Sequence, residues 1–248
     1  MVKRQFGVST HLYRRQRLCR AHLLEIAAHG FETVELFAAR SHFDYENPAA
    51  AADLQQWLAE AGLSLHSIHA PIGVAADEID RALFIARRIP ARAFVVHADG
   101  SRKVERRNLE RLAALGAPLG VRVAVEVGRT PLSKAAPLAY FIEHDLEDVD
   151  LGICLDFGHA HLDGELIDAI ETVSEHLVAT HVHDNRGRVD DHRMPFDGTI
   201  DWPAALTAVQ KVGYEGPLVF EIAANGSTRE TLEKARRVRA QMEKLLVS

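Results

Sequence analysis

Eight short runs of apolar and β-branched residues recur along the chain, each followed by a segment whose apolar residues fall at helical spacing. The runs are QFGVSTH (5–11), TVELFA (33–38), LSLHSIHAP (63–71), AFVVHA (93–98), RVAVEVG (122–128), LGICLDFGH (151–159), LVATHVHDN (177–185) and PLVFEIA (217–223). Most are apolar almost without a break, the pattern of strands buried on both faces in a parallel sheet. The helical segments are 20–29, 49–61, 77–88, 104–116, 134–144, 164–176, 201–212 and 227–246. Gly62 and Gly213 stand where helix ends favour a left-handed residue. Asp201 and Pro203 suit the opening of the seventh helix, and Ser227 with Glu230 forms a capping-box pattern for the eighth. Eight β–α units at intervals of roughly 25–35 residues predict an α/β protein, a single (β/α)8 TIM barrel spanning 1–248, in preference to an open doubly wound sheet.

Composition narrows the setting. No apolar stretch approaches the about 18 residues of a membrane span, so no membrane partner is expected. The opening MVKRQFGVST lacks the apolar core of a signal peptide, and Cys19 and Cys154 are the only cysteines, which together suggest a cytoplasmic protein. A formal net charge of −6 disfavours indiscriminate nucleic-acid binding. The oligomeric state is open.

Histidine is over-represented, with 14 in 248 residues, and the polar residues near strand ends include many of them. In a β/α barrel the active site lies at the C-terminal ends of the strands. His69, His97, Glu126, Asp156, His181, His183 and Glu221 fall there, with His159, Asp190 and His192 just beyond. Several buried carboxylates cost several kcal/mol each without compensation, and a divalent ion compensates them. Mixed imidazole and carboxylate donors suit Mn, Zn, Co or Fe and disfavour copper(I). Glu126, Asp156, His181 and Glu221 form a core set of metal donors. His69, His97, His159, Asp190 and His192 would extend the site from one ion to two or three. For His66 and His183 a hydrogen-bonded core histidine is an equal alternative.

In SIHAP (67–71), VVHADG (95–100), VEVG (125–128), CLDFGHAH (154–161), THVHDNRGRVDDHRMPFDGTIDW (180–202) and VFEIA (219–223), the chain resembles the xylose isomerase-like TIM-barrel superfamily. That superfamily includes sugar and sugar-phosphate isomerases and epimerases as well as endonuclease IV-type apurinic endonucleases. The resemblance implies one ion on Glu126, Asp156, His181 and Glu221 for the isomerases, and a larger set adding His69, His97, His159, Asp190 and His192 for the endonucleases. The chain departs from the pattern at MPFDGTIDW, where many relatives carry a Gly-rich PPGEG-like turn.

Two chemistries suit this constellation. In the first, a divalent-metal-dependent isomerase or epimerase acts on a sugar or sugar phosphate through an enediolate-like intermediate. Glu126 and Glu221 form its proton-transfer pair, and Arg186, Arg188 and His183 are candidate substrate contacts. In the second, a multinuclear zinc phosphodiesterase cleaves abasic DNA. Arg14, Arg15, Arg17, Arg40, Arg102, Lys103, Arg129, Arg186, Arg188 and Arg193 lie on the expected catalytic-face loops and serve either reading. The net negative charge and aromatic content of 6% weigh against nucleic acid. A non-enzymatic binding module is disfavoured, because every candidate ligand and both proton-transfer carboxylates are present.

Overall fold

The computed structural model describes residues 4–164, 166–224 and 226–247. All eight expected strands form: β1 (Phe6–Ser9), β2 (Thr33–Phe37), β3 (Ser64–His69), β4 (Ala93–Val96), β5 (Arg122–Glu126), β6 (Leu151–Asp156), β7 (Leu177–Val182) and β8 (Leu218–Phe220). Each pairs in parallel with the next, and β8 closes on β1 through Phe6↔Leu218 and Val8↔Phe220. The closed parallel sheet with helices between its strands is a single (β/α)8 TIM barrel.

Side-chain alternation divides each strand between two environments. Phe94, Val123, Ile153 and Phe220 join the large apolar layer shared with the helices. Ala93, Val95, Ala124, Cys154 and Ala179 form a separate small-residue cluster that belongs to the other face, inside the barrel. Two residues further along, the interior rows of β5, β6 and β7 carry Glu126, Asp156 and His181. The same alternation that packs the barrel therefore lifts the polar residues to its mouth.

The helices are α1 (Arg20–Ala28), α2 (Pro48–Ala61), α3 (Ala76–Leu83), α4 (Arg102–Gly116), α5 (Ala135–Asp145), α6 (Phe157–Leu162), α7 (Leu166–Thr172), α8 (Trp202–Lys211) and α9 (Thr228–Val247). Gly62 caps α2 at φ 66°. The Asp201 side chain accepts from Ala204 N at 3.1 Å to open α8. Ser227 and Glu230 exchange side-chain bonds with each other's backbone N–H at 3.2 and 3.3 Å, as the capping box predicts. Several segments are shorter than expected: the first and seventh strands end at Ser9 and Val182, and the helix expected over 164–176 ends at Thr172. The sixth strand stops at Asp156 instead of running to 159, because Asp156 Oδ1 accepts the backbone N–H of His159 at 2.7 Å and starts α6 at once. The helix expected over 77–88 tightens into a 3-10 turn after Leu83.

Candidate metal centre and active site

The four core donors meet around one nitrogen. His181 Nδ1 lies 3.6 Å from Glu126 Oε2, 3.9 Å from Asp156 Oδ2 and 3.6 Å from Glu221 Oε2. It is buried and has no hydrogen-bond partner. These separations are longer than hydrogen bonds and near the about 3.4 Å edge between ligands that share an ion at 2.1 Å. All four residues are buried. Three buried carboxylates around one imidazole carry an excess of negative charge that a divalent cation would offset.

Glu35, in the middle of β2, was not among the sequence candidates, and it sets the orientation of His181. Its Oε2 accepts from His181 Nε2 at 3.0 Å and from Ser67 Oγ at 2.8 Å, and both Glu35 and His181 are fully buried. Burial pushes the Glu35 carboxyl up, but the charge and hydrogen bond of His181, then His69 and Ser67, pull it down to about 2. Glu35 is therefore an anion that holds a proton on Nε2 and turns Nδ1 toward the three carboxylates. The available signal was a lone carboxylate inside TVELF, which placement near strand ends overlooked. Replacing Glu35 with Gln should weaken divalent-metal affinity about 10- to 100-fold, measured by titration of the metal-free protein. Unchanged affinity would remove Glu35 from this role.

The outer histidines show the same division of labour. His69 Nδ1 donates to Ala70 O at 2.8 Å, His159 Nδ1 to Val127 O at 3.0 Å, and His192 Nδ1 to Glu221 O at 2.8 Å. A carbonyl only accepts, so each ring carries its proton on Nδ1 and turns Nε2 toward a carboxylate. His69 Nε2 faces Glu126 Oε2 at 3.2 Å, and His97 Nε2 faces the same oxygen at 3.1 Å. His159 Nε2 and His192 Nε2 face Asp190 Oδ2 at 3.0 and 3.5 Å. Donor atoms close enough to hold an ion fall into overlapping groups, among them His69–His97–Glu126 and His183–Asp190–His192. The structure thus brings together all nine metal candidates.

His183, one of the candidate substrate contacts, is fully buried, bonded through Nε2 to Asp156 Oδ2 at 3.0 Å and stacked on His192. Arg186 and Arg188 are exposed in the loop after β7. That loop hangs on Asp184. Its Oδ1 accepts Asn185 N and Ile200 N at 2.8 and 3.3 Å, and its Oδ2 accepts Phe196 N and Trp202 Nε1 at 3.0 and 2.9 Å. Phe196, within MPFDGTIDW, has φ 72°, a left-handed conformation that costs a non-glycine residue about 1 kcal/mol or more. The bond from its N–H to Asp184 helps hold it there. His11, not among the candidates either, approaches the centre from the 3-10 turn after β1, with its ring 5.5 Å from that of His192. Burial and the neighbouring Arg14 push it down to about 3, so it is neutral at physiological pH.

Burial alone would lower the pKa of the cluster histidines, but their carboxylate neighbours outweigh it. Glu126 holds His69 at about 9, Asp190 holds His192 at about 9, and Asp156 with Asp190 holds His159 at about 10. His181 is likewise raised well above its ordinary value. Without an ion these rings keep protons that a metal must displace. Their contribution to folding is complete below the unfolded value near 6.5 and is lost as pH rises through about 9. Added Mn²⁺ or Zn²⁺ should therefore raise the melting temperature little at pH 6 and more at pH 8.5. A larger gain at pH 6, by differential scanning fluorimetry, would contradict this donor assignment.

The profile of the family described as "Xylose isomerase-like TIM barrel" matches residues 23–243. Among curated proteins, 102 residues are 34% identical to the uncharacterized protein y4fM of Sinorhizobium fredii, covering 40% of this chain and 33% of that protein. A second match, over 124 residues, is 26% identical to the uncharacterized protein MJ1311 of Methanocaldococcus jannaschii, covering 46% of this chain and 41% of that protein. The matches thus span one third to two fifths of those relatives' length. Among solved structures, a D-tagatose 3-epimerase-like protein superposes with TM-score 0.82 at 19% identity over 98% of both chains. The zinc-bound IOLI protein gives 0.79 at 16% identity over 98% of both chains. D-Psicose 3-epimerase, in the presence of D-fructose, gives 0.78 at 15% identity over 98% of this chain and 100% of its own. At these identities the likeness is one of fold.

Proposed function

The chain belongs to the xylose isomerase-like TIM-barrel family, and from that premise we propose that it is a divalent-metal-dependent isomerase or epimerase of sugars or sugar phosphates. One observation carries the metal dependence: the orphaned, buried Nδ1 of His181 facing three carboxylates, its other nitrogen held by Glu35. His181 with Glu126, Asp156 and Glu221, whose carboxylate oxygens lie within 3.9 Å of its Nδ1, is the donor set for a first ion, and the groups His69–His97–Glu126 and His183–Asp190–His192 offer donors for further ones. A bound divalent ion supplies positive charge beside a substrate's carbonyl and hydroxyl oxygens, lowering the cost of negative charge there.

The chain's own groups do the rest. Glu126 ends β5 and Glu221 directly follows β8, and each places a carboxylate oxygen 3.6 Å from His181 Nδ1. One takes a proton from the carbon beside the carbonyl, and the other returns a proton to the opposite face for epimerisation. Return to the neighbouring carbon gives isomerisation. His69 and His97 steady Glu126, and His183 steadies Asp156. The epimerase names of the structural neighbours support the sugar reading over abasic-DNA cleavage.

The test is elemental analysis of protein purified without chelator, followed by a sugar and sugar-phosphate panel with and without EDTA. Bound divalent metal and EDTA-sensitive interconversion of a sugar are expected. Metal-free protein with EDTA-resistant turnover would overturn the metal dependence. Two or three zinc ions, no sugar turnover and cleavage of abasic DNA would replace the reading with the phosphodiesterase.

A further inference from the structure

The donor cluster accounts for where a sugar would react, and the wall beside it bears on which sugar. A cavity of about 300 Å³ opens at the centre, lined by Glu126, His97 and His159 together with Arg129, Thr130 and Ser133. That volume is at the small end of ligand sites and suits one monosaccharide with a terminal substituent.

The part of the lining between Gly128 and Ser133 is a fastened turn. Gly128 N donates to Ser133 O at 2.9 Å, and Thr130 N donates to Ser133 Oγ at 3.1 Å. Thr130 Oγ1 donates to Ala98 O at 3.1 Å, tying the loop after β5 to the loop after β4. Both neighbours of Arg129 are therefore held, while Arg129 itself is exposed and, among the described residues, has no carboxylate partner within 4.0 Å. Some other cations of this face are paired, Arg102 with Asp145, Lys134 with Asp163 and Arg193 with Asp191, and the exposed Arg186 and Arg188 do not line this cavity. The cavity's remaining acid, Asp99, faces His97 Nδ1 at 3.6 Å. An anion entering beside Glu126 and Asp99 needs a cation to meet it, and Arg129 is the guanidinium in the cavity wall.

We propose that the substrate is a monosaccharide bearing an anionic group, phosphate or carboxylate, and that Arg129 binds that group while the reacting carbons lie against Glu126. This rests on the isomerase or epimerase reading. The test uses metal-loaded protein and matched substrates: ketoses such as D-fructose, their terminal phosphates, and the corresponding uronates. kcat/KM should favour one anionic class over the neutral sugar at least tenfold, and the favoured class identifies phosphate or carboxylate as the group bound. Arg129→Gln should lower kcat/KM for that class about 10- to 100-fold, mainly through KM. The neutral sugar should change less than twofold, and Arg129→Lys should recover part of the loss. Inorganic phosphate should compete in the native protein and not in Arg129→Gln. Turnover without a charge preference, or a preference that survives Arg129→Gln, would overturn the subsite and leave the sugar reading standing. A panel in which no member binds or turns over would overturn the sugar reading and the subsite with it.

Discussion

Glu221→Gln is expected to lower turnover at least about a thousandfold while the barrel stays folded. General acid–base catalysis contributes about 10²- to 10⁴-fold, and a carboxamide cannot take or return a proton at neutral pH. The same change removes one negative donor from the set around His181 Nδ1, where Glu221 Oε2 lies at 3.6 Å. Stability should respond differently from activity. Metal-free protein loses a carboxylate that helps hold His69, His181 and His192 charged and should melt at an equal or lower temperature, and the gain on adding metal should shrink. Glu221→Asp separates the two roles: its charge stays, so metal should be retained, but the shortened reach should still lower kcat. Turnover, elemental analysis and melting of the two variants together check this, and undiminished turnover in Glu221→Gln would place the proton-transfer pair elsewhere.

Gly158→Ala should disable the site through a single methyl group. Gly158 lies in α6, under the ring of His183. A Cβ built there comes within 2.7 Å of His183 Nε2 and closer still to Cε1 and Nδ1. The obstacle is a fully buried ring stacked on His192 with centroids 4.1 Å apart and bonded to Asp156, so it has little room to yield. Either the ring shifts and releases Asp156 Oδ2, or α6 moves and carries His159 away from Asp190. Overpacking of this kind costs about 1–3 kcal/mol, and a misplacement of about 1 Å costs about a hundredfold in rate. We therefore expect a melting temperature several degrees lower and activity down at least about a hundredfold, with weaker metal binding. Adding His183→Ala should restore stability by opening space for the methyl group but should not restore activity. If Gly158→Ala matched the native protein in both respects, His183 would not be the rigid support that its burial and partners describe.

The core donors that could be read from the sequence share one property: each interrupts an apolar run near the end of a strand. Glu126, Asp156, His181 and Glu221 did so, and the structure gathers them within 4 Å of a common nitrogen. Glu35 escaped notice because it sits mid-strand, and its partner His181 is 146 positions away. Asp184 read as part of a polar motif, while its work is to fasten backbone and Trp202 of the following loop. The short helix α6 contributes only six residues, too few for a periodic signal, and a side-chain cap starts it.

Local sequence periods alone determined that this chain closes into a (β/α)8 barrel and which residue types stand at its mouth. Those periods depend only on residues a few positions apart, and burial on two faces or one follows from them directly. The tertiary structure decided which ring faces which carboxylate. Barrel closure sets the pairing across strands, and backbone carbonyls of Ala70, Val127 and Glu221, with the Glu35 carboxylate, choose the protonated nitrogen of each imidazole. Ring orientation and tautomer depend on atoms brought together by closure, and a hydrogen bond acts only at contact distance, so no window along the chain contained them.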